Sequence, residues 1–476
     1  MTKRNFFQIG FVSILILLTG CQKSTIDVES PTPREKATTE ETSGRLVSAT
    51  KTSSLGVGEA VSVASENFGK LELPVEKYQP EITKLLKGPF SGIQWQVETY
   101  RITYHTLDAN NNDKILSADI GFVNDASGRV IRKLSTVSLF HCQFNANDKL
   151  TMLFKDIVIP LRAMHNALVV YPHYQGAGED KGKGGTYIPI SESLIKARQA
   201  IDAELAALEF IRTLHNVSMD CGYYTENMGV SNGGSTALAT QYLLENDETY
   251  SKKDKSVKLR TTCIGEGCYD YGELIISMFR DTEVETSVIV TKLTPFAFVS
   301  FINSAYETWK NKYFDSIGIN QYFSKKFNDV KVKINGKTMG ILEAMSSGDF
   351  PIDFSEESIF EENGLTTIRS MINPELYNKC GNLIEYDPRI TALEKAFDEN
   401  QLLKYEWQPK SALLIEHSAK DDMLPYADAL EAYNVLSNKG KNKNVIMKTM
   451  PIGDHIMSSS IYLLEMLLFP HPVPLD

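Results

Sequence analysis

The chain has no excess of positive charge and no basic run. In 476 residues, 49 Lys and Arg stand against 60 Asp and Glu, a formal net charge of −11. Phosphate backbones are gripped by clustered cations, so nucleic acid is not an expected partner. After the N-terminus no apolar run reaches membrane-spanning length. Cysteine is scarce, six in all, and no pair stands at a metal-ligand spacing. Beyond Cys21 the five are Cys142, Cys221, Cys263, Cys268 and Cys380. An odd number leaves one or more unpaired within a monomer; Cys263 and Cys268 are either buried thiols or one bridge. The glycine-rich stretch Gly178-Glu179-Asp180-Lys181-Gly182-Lys183-Gly184 lacks the Walker spacing and the hydroxyl residue after Lys, which excludes a phosphate-binding loop. Asp108, Asn110 and Asn112 imitate the first half of an EF-hand loop. Its sixth position is Asp113 where glycine is needed and its twelfth is Asp119 where glutamate is needed, so a polar turn is expected rather than a calcium site. Neither a metal nor a cofactor is expected.

What is present begins with an address. Lys3 and Arg4 precede the apolar stretch Phe6 to Leu18. As a helix that stretch rises only ~20 Å, short of the ~30 Å of a bilayer core, so it reads as a signal peptide. The following Leu18-Thr19-Gly20-Cys21 resembles a bacterial lipobox. The resemblance implies cleavage after residue 20, lipid on Cys21, and a cell-envelope location, the outer membrane being expected. Residues 21–68 are rich in Ser, Thr, Glu and Lys with few aromatics, a composition that buries too little apolar surface to offset ordering. They read as a flexible tether spanning on the order of 40 Å.

Downstream, strand and helix signals alternate. Gln96 to Tyr104 and Ile115 to Val123 flank the polar run and read as a hairpin. Ser135 to Phe140 and Ala167 to Tyr171 read as further strands. Ser191 to Leu214 has apolar residues at helical spacing, with Ser191 available as N-cap. Asn227-Met228 then lead into Gly229-Val230-Ser231-Asn232-Gly233-Gly234, followed by a helix-forming run from Ser235 to Glu245. Gly-x-Ser-x-Gly between a strand and a helix is the form of a nucleophile elbow. Small residues two positions either side of the serine are needed because side chains there would collide with the neighbouring strand and helix. The serine Oγ is thereby exposed beside a helix N-terminus, whose dipole and free N–H groups favour a developing oxyanion.

A hydrolytic serine needs a base and an acid that orients it. Three histidines follow Ser231: His417, His455 and His471. His417 lies at the end of an apolar run and precedes the best acid candidates. His471 sits between two prolines near the C-terminus. His455, in Ile452-Gly453-Asp454-His455 after the strand Val445 to Met450, remains as the base. Either Asp421 or Asp422, in the segment after the strand Ala412 to Ile415, could reach its imidazole.

These motifs resemble the α/β-hydrolase superfamily: the elbow, the His417-x-x-x-Asp421-x-x-Leu424-Pro425 segment, and Gly453-Asp454-His455. More narrowly, the chain from about Trp95 onward is similar to bacterial lipoprotein hydrolases related to the secretory lipase family. Supporting segments are Tyr100-Arg101-Ile102-Thr103-Tyr104, Pro172-His173-Tyr174-Gln175-Gly176-Ala177-Gly178, Gly267-Cys268-Tyr269-Asp270 and Tyr405-Glu406-Trp407-Gln408-Pro409-Lys410. The resemblance implies Ser231 as nucleophile, His455 as general base and Asp421 as its orienting acid, with Asp422 turned away. It implies oxyanion donors at Asn232 and near Cys142-Gln143. The family pattern commonly has His-Gly-Thr at 141–143 and Asp at 173, where this chain has His141-Cys142-Gln143 and His173. The implied fold is a mostly parallel sheet flanked by helices, its core split into 69–272 and 404–476 by a helical cap over 273–403. The implied activity is hydrolysis of a small-molecule, lipid or glycan ester. A peptidase or amide hydrolase would use the same triad, and the departure at Cys142 leaves open a ligand-binding lipoprotein on a disabled hydrolase fold. Most of the cap aromatics, among them Phe296, Phe298, Phe301, Tyr306 and Trp309, are expected in its core, and a few over the pocket.

Overall fold

The computed structural model describes residues 25–27, 43–70, 95–141, 149–180, 191–253, 257–280, 294–334, 336–346, 359–451 and 453–468. Cys21, Cys142, Gln143, His471 and the signal segment lie outside the described residues.

The strands, in chain order, are β1 (Thr25–Asp27), β2 (Leu46–Gly56), β3 (Trp95–Leu107), β4 (Asp113–Asp125), β5 (Arg132–His141), β6 (Ala167–His173), β7 (Val217–Val230), β8 (Leu259–Gly265), β9 (Lys331–Ile334), β10 (Lys337–Gly340), β11 (Ala412–Ser418) and β12 (Val445–Met450). The longer helices are α1 (Val57–Lys70), α2 (Lys149–Ala163), α3 (Ser193–Thr213), α4 (Asn232–Asn246), α5 (Tyr271–Arg280), α6 (Thr294–Tyr313), α7 (Pro388–Asp398), α8 (Tyr426–Leu436) and α9 (His455–Leu468). Ten strands form one sheet in the order β1-β2-β3-β4-β6-β5-β7-β8-β11-β12. From β6 to β12 every pairing is parallel; from β1 to β6 every pairing is antiparallel. All residues of β6 and β11 are buried. A strand covered by helices on both faces has no solvent side, which is why Ala167–Tyr171 and Ala412–Ile415 are unbroken apolar runs.

One face is closed by α1, α2 and α9 through residues such as Ala60, Val61, Ile157, Leu161, Leu463 and Leu467. The other is closed by α3, α4 and α8, where small residues such as Ala200, Ala203, Ala237 and Ala429 let helices approach the strands. The expected hairpin is β3 and β4, paired from Trp95↔Asp125 to Leu107↔Asp113. Its connection is a polar turn: Asp108 Oδ1 accepts from the backbone N–H of Asn110 and Asn112 at 2.8 and 2.9 Å, and Asn111 takes φ 60°.

Two expectations change. The tether expected over 21–68 does not extend through Gly56 or into α1: β2 pairs antiparallel with β3 along its length, and Ala60, Val61 and Ala64 of α1 pack into the core. Composition misled because β2 is near the sheet edge with much of its length half-exposed. A strand in that position can be Ser- and Thr-rich and still form a full backbone ladder. Ser191 is not the N-cap of α3. Glu192 occupies that position, and the Ser191 hydroxyl instead meets Glu192 Oε1 at 3.0 Å and Ser304 Oγ at 3.1 Å.

Between β8 and β11 the chain builds a second core, from Cys268 and Tyr271 to Phe397. It is mainly helical, with α5, α6 and α7 in mutual contact, but it also carries the antiparallel pair β9–β10, which the sequence reading did not anticipate. Among its aromatics, Phe298, Phe301, Phe314, Tyr322 and Phe323 are buried.

Candidate active site

Ligand sites of open parallel sheets form at the carboxyl ends of the strands, and Ser231, Asp421 and His455 meet there. β7 ends at Val230, and the chain reverses through Ser231 into α4. Ser231 has φ 55° and ψ −126°, a left-handed backbone rarely taken by a residue with a Cβ. Two backbone bonds hold it: Ser231 N–H donates to Gly265 O at 2.8 Å, and its carbonyl accepts from Gly234 N–H at 2.8 Å. The turn demands glycine at 229, since a Cβ there would lie 2.1 Å from the Gly233 carbonyl oxygen.

Ser231 Oγ lies 2.9 Å from His455 Nε2, and His455 Nδ1 lies 2.7 Å from Asp421 Oδ2. All three residues come from different strand ends. His455 opens α9 rather than lying in the loop before it. The helix start is fixed by Asp454, whose Oδ1 accepts Met457 N–H at 2.9 Å, the bond of an N-cap. The preceding Gly453 supplies φ 98°. Asp421 follows β11, and its Oδ1 accepts the N–H groups of Met423 and Leu424, each at 2.8 Å. Burial alone would raise the Asp421 carboxyl, but its bond to His455 and its neighbour Glu266 outweigh that and hold it low, at about 2.

Asp422 does not simply turn away as expected. Its Oδ1 accepts the backbone N–H of His455 at 3.1 Å, so the adjacent acids hold the same residue by side chain and by main chain. His417 is packed at the end of β11, as expected. Its Nε2 is 3.1 Å from Leu424 O and therefore carries the proton, since a carbonyl only accepts. Burial pushes its pKa down.

Asn232 is the first residue of α4, so its backbone N–H lies at the helix N-terminus and points out of it. Its side chain accepts from Lys196 Nζ at 2.5 Å and donates to the Tyr271 hydroxyl at 2.8 Å. Burial lowers the pKa of Lys196 to about 7, against the opposing pull of Glu192. His141 is fixed between the Tyr174 hydroxyl (2.6 Å) and Asn227 Oδ1 (2.8 Å), and burial lowers it to about 3. His173 sits further out, 3.2 Å from Asp119 and 3.0 Å from Ser117 Oγ. Sequence reasoning missed Lys196 and Glu266, because burial of a charged residue leaves no local pattern.

An apolar cavity opens on Ser231. It is lined by Tyr271, Leu274 and Met278 of α5, Ala297, Phe298 and Phe301 of α6, and Cys268, Met423 and Leu424. The insertion thus supplies one side of its wall, through Leu274, Met278, Ala297, Phe298 and Phe301. Cys263 and Cys268 are both buried free thiols, and Cys221 and Cys380 are exposed free thiols. Among the described residues no helix is long and apolar enough to cross a membrane.

No family profile matches the chain by sequence, and no curated protein does. Solved structures match it across most of its length. A ligand-bound form of the rice cell wall degrading esterase LipA from Xanthomonas oryzae is 18% identical, with 89% of this chain and 97% of that chain covered at a TM-score of 0.60. A protein from Legionella pneumophila described as a hydrolase is 16% identical, with 89% and 96% covered, also at 0.60. Lipase A from Candida antarctica is 11% identical, with 91% and 84% covered at 0.52. The chain has the α/β-hydrolase fold.

Proposed function

We propose that the protein is a serine hydrolase of carboxylic esters, exported and held at the cell envelope by lipid on Cys21. The observation that carries the reading is the contact series Ser231 Oγ to His455 Nε2 to Asp421, 2.9 and 2.7 Å long, at the mouth of an apolar cavity. In the reaction, His455 takes the Ser231 proton as Oγ attacks the acyl carbonyl. The bond from Asp421 keeps the imidazole proton on Nδ1, so that Nε2 is free to accept. The oxyanion develops beside the N-terminus of α4, where the Asn232 N–H stabilises it; a second donor is assigned to the Cys142-Gln143 segment. His455 then returns its proton to the leaving alcohol. Water, activated by the same imidazole, attacks the acyl-enzyme and releases the acid.

The cavity wall suits the substrate's acyl part. Its side chains are aliphatic, thioether and aromatic, with the Tyr271 hydroxyl already bonded to Asn232 and Ser235. Among the described residues that line it, none carries a charge to meet an ionic side chain. The fold neighbours include an esterase and a lipase, which supports ester over amide as the substrate class.

The test is a panel of p-nitrophenyl esters of increasing chain length beside aminoacyl anilides, using the full chain in detergent. Ester turnover that disappears in Ser231→Ala supports the reading. Turnover of anilides but not esters would replace it with an amide hydrolase. Ester turnover unchanged by Ser231→Ala would remove the site.

A further inference from the structure

A second carboxyl stands behind Asp421 and the reaction above makes no use of it. Glu266 follows β8, next in the sheet to β11, and is fully buried. It takes φ 50° between Gly265 and Gly267. A glycine would fit that backbone better, so the glutamate side chain is retained at the cost of strain. Both of its carboxyl oxygens reach Ser418 N–H, at 2.9 and 3.1 Å. The carboxyl stands beside that of Asp421: oxygens of the two lie 3.6 and 3.5 Å from the same His417 Nε2 and within 4.8 Å of each other.

Two buried carboxyl groups this close do not both ionise readily, so a proton is retained between them. The donors around them decide which one carries it. Asp421 faces the N–H groups of Met423 and Leu424 and His455 Nδ1; that surrounding stabilises an anion. The groups facing Glu266 are Asp421, the neutral His417 at 3.6 Å, the Ser418 N–H, the Ser458 hydroxyl of α9 and the phenol of Tyr269. Among the described residues no lysine or arginine ion-pairs with it. Burial and the Asp421 charge therefore both favour its un-ionised form.

Resting on the hydrolase reading above, we propose that Glu266 is a positioning residue that acts as a neutral carboxylic acid, donating its proton to Asp421 and holding that carboxylate against His455. The proton stays on Glu266 throughout turnover. It is lost only when the bulk pH removes it, and two adjacent anions then drive Asp421 off the imidazole.

Glu266→Gln keeps both functions, since its amide N–H₂ can donate to Asp421 and its oxygen can accept Ser418 N–H. Glu266→Leu keeps neither. The expected result is kcat within about threefold of wild type for Glu266→Gln and more than about tenfold lower for Glu266→Leu, with KM little changed in both. Wild-type kcat should also fall as pH rises through about 9, where burial and Asp421 place the Glu266 pKa, and Glu266→Gln should lack that limb.

A second readout does not depend on turnover. A carboxyl raised in the folded state stabilises fully below its unfolded value, about 4.3, and loses that contribution as pH rises toward its folded value. The Tm of Glu266→Gln minus that of wild type should therefore widen steadily between pH 5 and 9. A gap that stays flat over that range would mean Glu266 is already ionised and would overturn the proposal. So would Glu266→Gln as slow as a folded Glu266→Leu, or Glu266→Leu as fast as wild type. If instead no ester is turned over, or Ser231→Ala is as active as wild type, the hydrolase reading fails. The Tm gap still reports where the Glu266 proton resides.

Discussion

Asp421→Asn tests the imidazole orientation most sharply, because the hydrogen-bond partners dictate what the amide does. Asp421 Oδ1 takes two backbone N–H groups at 2.8 Å each, so in the variant the amide oxygen must stay there. The amide N–H₂ then faces His455 Nδ1, now at 2.7 Å from a carboxylate oxygen. Nδ1 becomes an acceptor and the imidazole proton moves to Nε2, pointing at Ser231 Oγ. A protonated Nε2 cannot accept the serine proton. The wrong tautomer costs ~10⁴ in kcat where measured in another serine hydrolase, or about 5 kcal/mol of transition-state stabilisation. Stability should fall much less, by about 1–3 kcal/mol, because the shape and two of the hydrogen bonds persist. Asp422→Asn can still accept the His455 backbone N–H and should cost less than ~10-fold. The assay is steady-state hydrolysis of a p-nitrophenyl ester near neutral pH, with folding checked by circular dichroism. Asp421→Asn within tenfold of wild type, or a larger loss in Asp422→Asn, would refute the argument.

Gly229→Ala should cost about 3 kcal/mol or more and give little folded protein, because its Cβ would meet the Gly233 carbonyl at 2.1 Å; a normal Tm would contradict the elbow geometry. Met278→Trp, on the cavity wall, should lower kcat/KM for long acyl chains while sparing acetate esters; an unchanged chain-length profile in the folded variant would remove this wall from substrate selection. Phe298→Ala, in the core of the insertion, should cost ~3–5 kcal/mol in chemical unfolding; a cost below about 1 kcal/mol would contradict its packing. Cys21→Ser should release the protein from membranes or leave it unprocessed, and full retention in washed outer membranes would rule out the lipid anchor.

The parts of the fold legible in the sequence are those where one local rule acts alone. The parallel strands are apolar runs because both faces are buried, and the elbow is visible because Gly229 has no room for a Cβ. The His417-x-x-x-Asp421 spacing places Asp421 within 2.7 Å of His455 Nδ1 because a short turn brings one residue of the two to the ring. The spacing missed that Asp422 would find the His455 main chain, which depends on where α9 begins in space. β2 was missed because a half-exposed strand near a sheet edge shares its composition with a linker. Glu266 and Lys196 were invisible for a different reason: each is buried by segments distant in sequence, and nothing next to them in the chain marks it.

The central claim is that Ser231 is a nucleophile activated by His455. Treating the full chain with a fluorophosphonate and measuring intact mass, followed by peptide mapping, tests it directly. One adduct is expected, on Ser231, absent in Ser231→Ala and nearly absent in His455→Ala. An unlabelled wild type, or an adduct that persists in Ser231→Ala, would contradict it.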